Sequence, residues 1–161
     1  MQNLINLTDV LENNWSIVSD TDAVLPEGNI LVPGDYWLEN RDALKARGNV
    51  GLVLFGDADP LAFADDIASI EVVAVNFPAF ADGRGYSIAR LLRERLDYQG
   101  EIRAIGDVLI DQLNFMKRCG FSEFLLKDGL SGEKALDYFA TFSDPYQLAN
   151  DLPTPLFRRK A

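Results

Sequence analysis

From Asn49 onward, short apolar runs alternate with amphipathic stretches. Gly51-Leu52-Val53-Leu54-Phe55, Glu71–Phe77, Glu101–Ile105 and Phe121–Leu126 have the length and β-branched or aromatic content of buried strands. Between them, apolar residues recur at helical spacing. Leu61, Ala64, Ile67 and Ala68 follow Asp59-Pro60, which reads as an N-cap with proline at the first helical position. Ile88, Leu91, Leu92 and Leu96 mark a helix over Ser87–Leu96, and Gly106-Asp107 turns into another over Val108–Cys119, ended by Gly120. A last helix runs from about Gly132 to Phe142, capped by Ser131. Four successive βα units predict a parallel sheet, because parallel neighbours need crossover connections. An open flavodoxin-like sheet and a half-barrel arc share this periodicity.

The first 48 residues follow another rhythm. Trp15-Ser16-Ile17-Val18 alternates, Asn29-Ile30-Leu31-Val32 is compactly apolar, and Asp20-Thr21-Asp22 and Pro26-Glu27-Gly28-Asn29 supply turn chemistry between them. This predicts a small antiparallel β ribbon. Pro33-Gly34-Asp35 then opens one helix reaching Arg47, with Asp35 as cap, Trp37, Leu38 and Leu44 facing inward, and Gly48 closing it. At the other end, Pro145, Pro153 and Pro155 argue against long regular structure over residues 143–161. The expected organisation is a single domain over 1–161: ribbon and helix (1–48), βα units (49–142) and a Pro-rich tail (143–161).

Composition narrows the function classes. The net charge of −10 opposes a nucleic-acid partner, since a phosphate backbone needs a Lys/Arg surface. No stretch approaches the ~18 apolar residues of a membrane span. Met1-Gln2-Asn3-Leu4 lacks the pattern of a secretory signal, and a lone cysteine, Cys119, cannot form an intramolecular disulfide; both point to the cytoplasm. With no histidine there is no His metal site, Ser-His or Cys-His pair, or histidine general base.

In a parallel α/β sheet, ligands bind beyond the carboxyl ends of the strands. The loops there are Gly56–Asp59, Asn76–Tyr86, Gly106-Asp107 and Lys127–Ser131. Asp59, Asp107 and Ser131 are accounted for as helix caps. Arg84 is not. It lies between Gly83 and Gly85, whose permissive backbones favour a nest of N–H groups, just before a helix whose positive end faces the same point. Gly83, Arg84, Gly85, Tyr86 and Ser87 therefore form the candidate receptor for a phosphate, sulfate, sulfite or carboxylate oxygen. The competing reading pairs Asp82 with Arg84 in a tight turn. As catalytic groups, Asp82 and Asp107 are the weak candidates.

Secondary candidates are Arg103, Asp111 and Cys119. Arg103 shares a strand face with Glu101, which demands a partner: an intramolecular ion pair, an acidic loop or a neighbouring subunit. Cys119 has Lys117 and Arg118 beside it, yet ends a helix, where the dipole opposes a thiolate; it is either a reactive thiol or a core residue. No dinucleotide fingerprint, Walker loop, iron–sulfur or zinc motif is present, so no cofactor is evident.

Phe77-Pro78-Ala79-Phe80-Ala81-Asp82-Gly83-Arg84-Gly85-Tyr86-Ser87-Ile88-Ala89-Arg90-Leu91-Leu92-Arg93 resembles the signature of a bacterial domain-of-unknown-function family. Glu101–Leu109, Asp111-Gln112-Leu113, Arg118–Phe121 and Pro155-Leu156-Phe157-Arg158-Arg159 extend the likeness over nearly the whole chain. That family carries the label of an oxidoreductase of sulfite reduction, and its genes commonly neighbour those of assimilatory sulfite and sulfate reduction. The resemblance implies an accessory or oxyanion-binding protein of sulfur assimilation, with sulfite reductase or related proteins as partners. The alternatives are a small oxidoreductase with a recruited flavin or nicotinamide, and a scaffold that pairs with a second subunit as a homo-oligomer. A single cysteine holds no iron–sulfur cluster and cycles no internal disulfide, which sits poorly with the redox label.

Overall fold

The computed structural model describes residues 3–78 and 83–141. Its centre is one eight-stranded sheet in the order β2-β1-β8-β7-β6-β5-β4-β3. The strands are β1 (Leu4–Ile5), β2 (Val10–Leu11), β3 (Trp15–Ile17), β4 (Asn29–Pro33), β5 (Val50–Leu54), β6 (Val72–Phe77), β7 (Glu101–Gly106) and β8 (Glu123–Leu125). From β3 to β8 every neighbour is parallel, while β1 is antiparallel to both β2 and β8. The helices are α1 (Gly34–Glu39), α2 (Arg41–Arg47), α3 (Arg84–Glu94), α4 (Leu113–Cys119) and α5 (Gly132–Thr141).

The βα rhythm delivers an α/β fold, and strand order decides between the two architectures. A flavodoxin-like sheet reverses direction after its first strand. Here β3 to β8 run in chain order without a reversal, so the sheet is a curled half-barrel. Its two edge strands, β2 and β3, are joined by Glu12-Asn13-Asn14 alone. Four residue steps reach at most about 14 Å, so this strap holds the two edges of the arc close together.

The antiparallel ribbon expected of residues 15–32 is corrected. Trp15, Ser16 and Ile17 pair with Asn29, Ile30 and Leu31 in parallel register. Residues 18–28 are long enough to carry the chain back beside a three-residue strand, so their turn residues shape a return crossover and not a hairpin. The antiparallel contacts belong to β1, a strand outside the predicted set. The single helix of 35–47 is two, broken at Asn40 (φ −125°), with Pro33 and not Asp35 at the cap position. After β5 the expected helix is a pair of 3-10 turns, Pro60–Phe63 and Ile67–Ser69, the first capped by Asp59, whose Oδ1 accepts from Leu61 N–H at 3.0 Å. Gly48 and Gly120 close their helices with φ of 72° and 119°, as their positions predict. The Pro-rich tail lies outside the described residues.

Alternation along the strands sorts side chains to two faces. Ile30, Val32, Leu52, Leu54, Val73, Val75, Ile102 and Phe124 join the large core beneath the helices, with Ile88, Leu92, Leu113 and Met116. Leu31, Val53, Val72, Ala74 and Ile105 form a smaller cluster on the concave face, against which Trp15 and Leu125 pack. Burial of each Leu, Val or Ile side chain contributes roughly 1.5–3 kcal/mol. β5 is buried along its whole length, as expected for a strand covered on both faces.

Candidate oxyanion site at the carboxyl edge

The carboxyl ends of β5 and β6 meet through two residues, Gly56 and Arg84. A Cβ on Gly56 would lie 2.8–3.1 Å from Nε, Cζ and Nη2 of Arg84. The guanidinium thus lies flat against backbone that only glycine leaves bare. Arg84 is exposed and is itself the first residue of α3, three positions earlier than the helix predicted from Ser87. The Arg84 and Gly85 N–H groups stand in the first turn, where an α-helix supplies no backbone acceptors, and Gly83 at the N-cap position has no side chain to cap them.

The glycines play other parts than a nest. Gly83 has φ −85°, in the ordinary right-handed region. Gly85 is buried, and a Cβ there would come 2.6 Å from the Phe77 ring, so its missing side chain lets α3 seat directly on β6. Tyr86 turns into an aromatic cluster, its ring 5.2 Å from Phe77 and 4.8 Å from Phe115. Burial, reinforced by Cys119 and Asp111 nearby, pushes the Tyr86 hydroxyl pKa up. Ser87 is exposed on α3. Of the predicted receptor residues, Arg84 alone brings a charged side chain to the edge. Asp82 lies outside the described residues.

Asp107 is not a helix cap. The turn before α4 begins at Leu109, and the Asp107 carboxylate pairs with Lys127 Nζ at 2.8 Å. Ser131 does cap α5, its Oγ accepting from Lys134 N–H at 3.4 Å. Asp111 is exposed, and its carbonyl accepts from the Tyr138 hydroxyl at 3.1 Å. Cys119 is fully buried in the larger core.

Arg103 finds its partner inside the subunit. Its Nε donates to Glu123 Oε1 at 3.1 Å, and Nη1 donates to Asn13 Oδ1 at 3.1 Å, tying the strap to the concave face. Burial pushes the Glu123 carboxyl pKa up; Arg103 opposes this and Glu101 adds to it.

Two polar clusters escaped the sequence reading. Asp66, 2% exposed, accepts from Trp37 Nε1 at 3.0 Å and pairs with Arg41 Nε at 2.8 Å and Lys45 Nζ at 2.5 Å. Burial acts to raise its pKa, but the hydrogen bonds from Lys45 and Trp37 and the charges of Arg41 and Lys45 outweigh it and hold the pKa below the ordinary value. The spacing of Trp37, Arg41 and Lys45 at every fourth residue was the available signal. The second cluster is Arg93, which donates to the carbonyls of Gly120, Tyr98 and Gly100 at 3.0, 2.7 and 2.8 Å. Both hold elements together away from the carboxyl edge. Among the described residues no group of three His, Cys, Asp or Glu is arranged to hold a metal, and no helix is long and apolar enough to cross a membrane.

A family model described as a bacterial protein of unknown function, DUF934, matches residues 51–157, from β5 onward. No curated protein and no solved structure matches the chain.

Proposed function

The chain belongs to the bacterial DUF934 family, and within that family we propose that it is an oxyanion-binding accessory protein of sulfate and sulfite reduction, receiving its ligand at Arg84 and the first turn of α3. One observation carries this reading: the Arg84 guanidinium rests on Gly56 at the carboxyl edge, where parallel α/β sheets take ligands, beside the positive end of an eleven-residue helix. A planar guanidinium offers paired donors to two oxygens of one anion, and the helix N–H groups add donors that cost no side-chain entropy. The sulfur oxyanion as ligand rests on the resemblance of the Phe77–Arg93 segment to proteins labelled for sulfite reduction.

The test is calorimetric titration with sulfite, sulfate and adenylyl sulfate at constant ionic strength, with a pull-down against sulfite reductase. Saturable binding of at least one anion that is lost in Arg84→Ala is the expected result. Absence of binding, or binding indifferent to Arg84, removes the proposal.

A further inference from the structure

Two glycines at the carboxyl edge each lie against one polar side chain. Gly56 lies under the Arg84 guanidinium, and Gly106 stands beside Asn76. A Cβ on Gly106 would come 2.8 Å from Asn76 Oδ1 and 2.4 Å from the Phe77 carbonyl oxygen. Asn76 is the last residue but one of β6, which lies between β5 and β7. Val72 and Ala74 belong to the concave cluster, so alternation turns Asn76 to the same face, at its mouth. The positions around it are apolar: Ile105, its register partner on β7, is buried in that cluster. Asn76 is half-buried, and among the described residues its amide makes no hydrogen bond. A ligand that pairs with this amide's donor and acceptor returns what their partial desolvation costs.

Phe55 stands beside it. The β5–β6 register pairs Leu54 with Val75, which brings Phe55, one residue past β5, level with Asn76. Val53 lies on the concave face, and Phe55 follows it in the same alternation. Phe55 is 47% exposed, directly before the glycine that carries the guanidinium. Gly56 and Asn76 lie diagonally on adjacent strands, which keeps the guanidinium and the amide within about 12 Å of each other. Cation, aromatic side chain and amide thus share one edge, within the reach of a mononucleotide from its phosphate to the edge of its base.

We propose, on the reading of Arg84 as an anion receptor, that the full ligand of this edge is a nucleotide: an organic phosphate or sulfate ester carrying a planar base. The ester oxygens meet the guanidinium, the base lies on the Phe55 ring, and the Asn76 amide pairs with the base edge. Asparagine suits adenine, donating to N7 and accepting from the N6 amine. Stacking on an aromatic ring adds affinity that a free inorganic ion cannot gain. Sulfite alone fills only the Arg84 end and binds more weakly.

Adenosine 5′-monophosphate, ribose 5-phosphate and sulfite are titrated calorimetrically into the full chain at fixed ionic strength. The monophosphate is expected to bind at least tenfold more tightly than ribose 5-phosphate, which has the same anion without the base. Phe55→Ala and Asn76→Ala are each expected to weaken the monophosphate at least fivefold. Both variants keep the wild-type affinity for ribose 5-phosphate, which shows that they are folded. Arg84→Ala weakens all three ligands. If sulfite binds through Arg84 but the base adds nothing, or if both variants bind the monophosphate as wild type does, the nucleotide is overturned and the anion receptor stands. No saturable binding of any of the three removes both.

Discussion

Arg103 and Glu123 stand opposite one another in register on β7 and β8, their Nε–Oε1 distance 3.1 Å, on the concave face of the sheet. The Arg103 side chain is 4% exposed and that of Glu123 12%. Removing one partner strands the other charge in a buried setting. Arg103→Met is expected to cost about 3 kcal/mol in urea denaturation, and the double substitution Arg103→Met, Glu123→Met to cost less than the sum of the singles. Additive costs would show that water reaches the pair and that it is worth little.

The same pair sets a pH dependence. Glu123 has its folded pKa raised above the reference 4.5, by burial first. A carboxyl with a raised folded pKa favours the native state while protonated, and that contribution fades as pH rises through the folded pKa. Relative to Glu123→Gln, the wild type is expected to lose stability on going from below pH 4.5 upward, and Arg103→Met to steepen that loss. A wild-type curve parallel to that of Glu123→Gln would contradict it.

Asp66 behaves with the opposite sign. Its folded pKa lies below the reference 3.8, so its stabilising contribution is present above that value and is lost as pH falls through the folded pKa. Asp66→Ala is expected to cost about 2–3 kcal/mol at pH 7, less than for a fully enclosed pair because Arg41 and Lys45 are partly solvated. As pH falls below 3.8 and through the folded pKa, the difference from wild type shrinks. Thermal unfolding scanned against pH reads both.

Gly83 and Gly85 look alike in the sequence but should respond differently. A Cβ at Gly83 meets nothing within 4 Å, whereas one at Gly85 strikes the Phe77 ring at 2.6 Å. Gly83→Ala is expected to change stability by less than about 0.5 kcal/mol. Gly85→Ala should cost about 1–3 kcal/mol despite the better helix propensity of alanine, because the overlap outweighs it. Equal effects would mean that α3 is not seated on β6 through Gly85.

The strand pattern from Asn49 to Leu126 was legible because buried parallel strands write themselves as apolar runs, and Gly48, Gly120 and Asp59 stand where their end geometry requires. The pairing of β3 with β4 was not, since Asp20–Asp22 and Pro26–Asn29 have hairpin-like composition whichever way the next strand runs. β1 and β2 are two residues each, too short to show a period, yet they close the sheet against β8. At the candidate site, Arg84 was legible as a cation between two glycines. Its rest on Gly56 was not, because that contact joins loops after two different strands. Asp107 looked like a cap because its place in the sequence is that of one, and Lys127, brought alongside only by folding, takes it instead.

The central claim is that Arg84 receives an oxyanion at the edge it shares with Gly56. Its most direct measurement is a calorimetric titration of sulfite, at constant ionic strength, into wild type and Arg84→Ala. A saturable one-site isotherm in wild type, weakened at least tenfold in Arg84→Ala, is the predicted result. No saturable heat in wild type, or the same isotherm without the guanidinium, would contradict it.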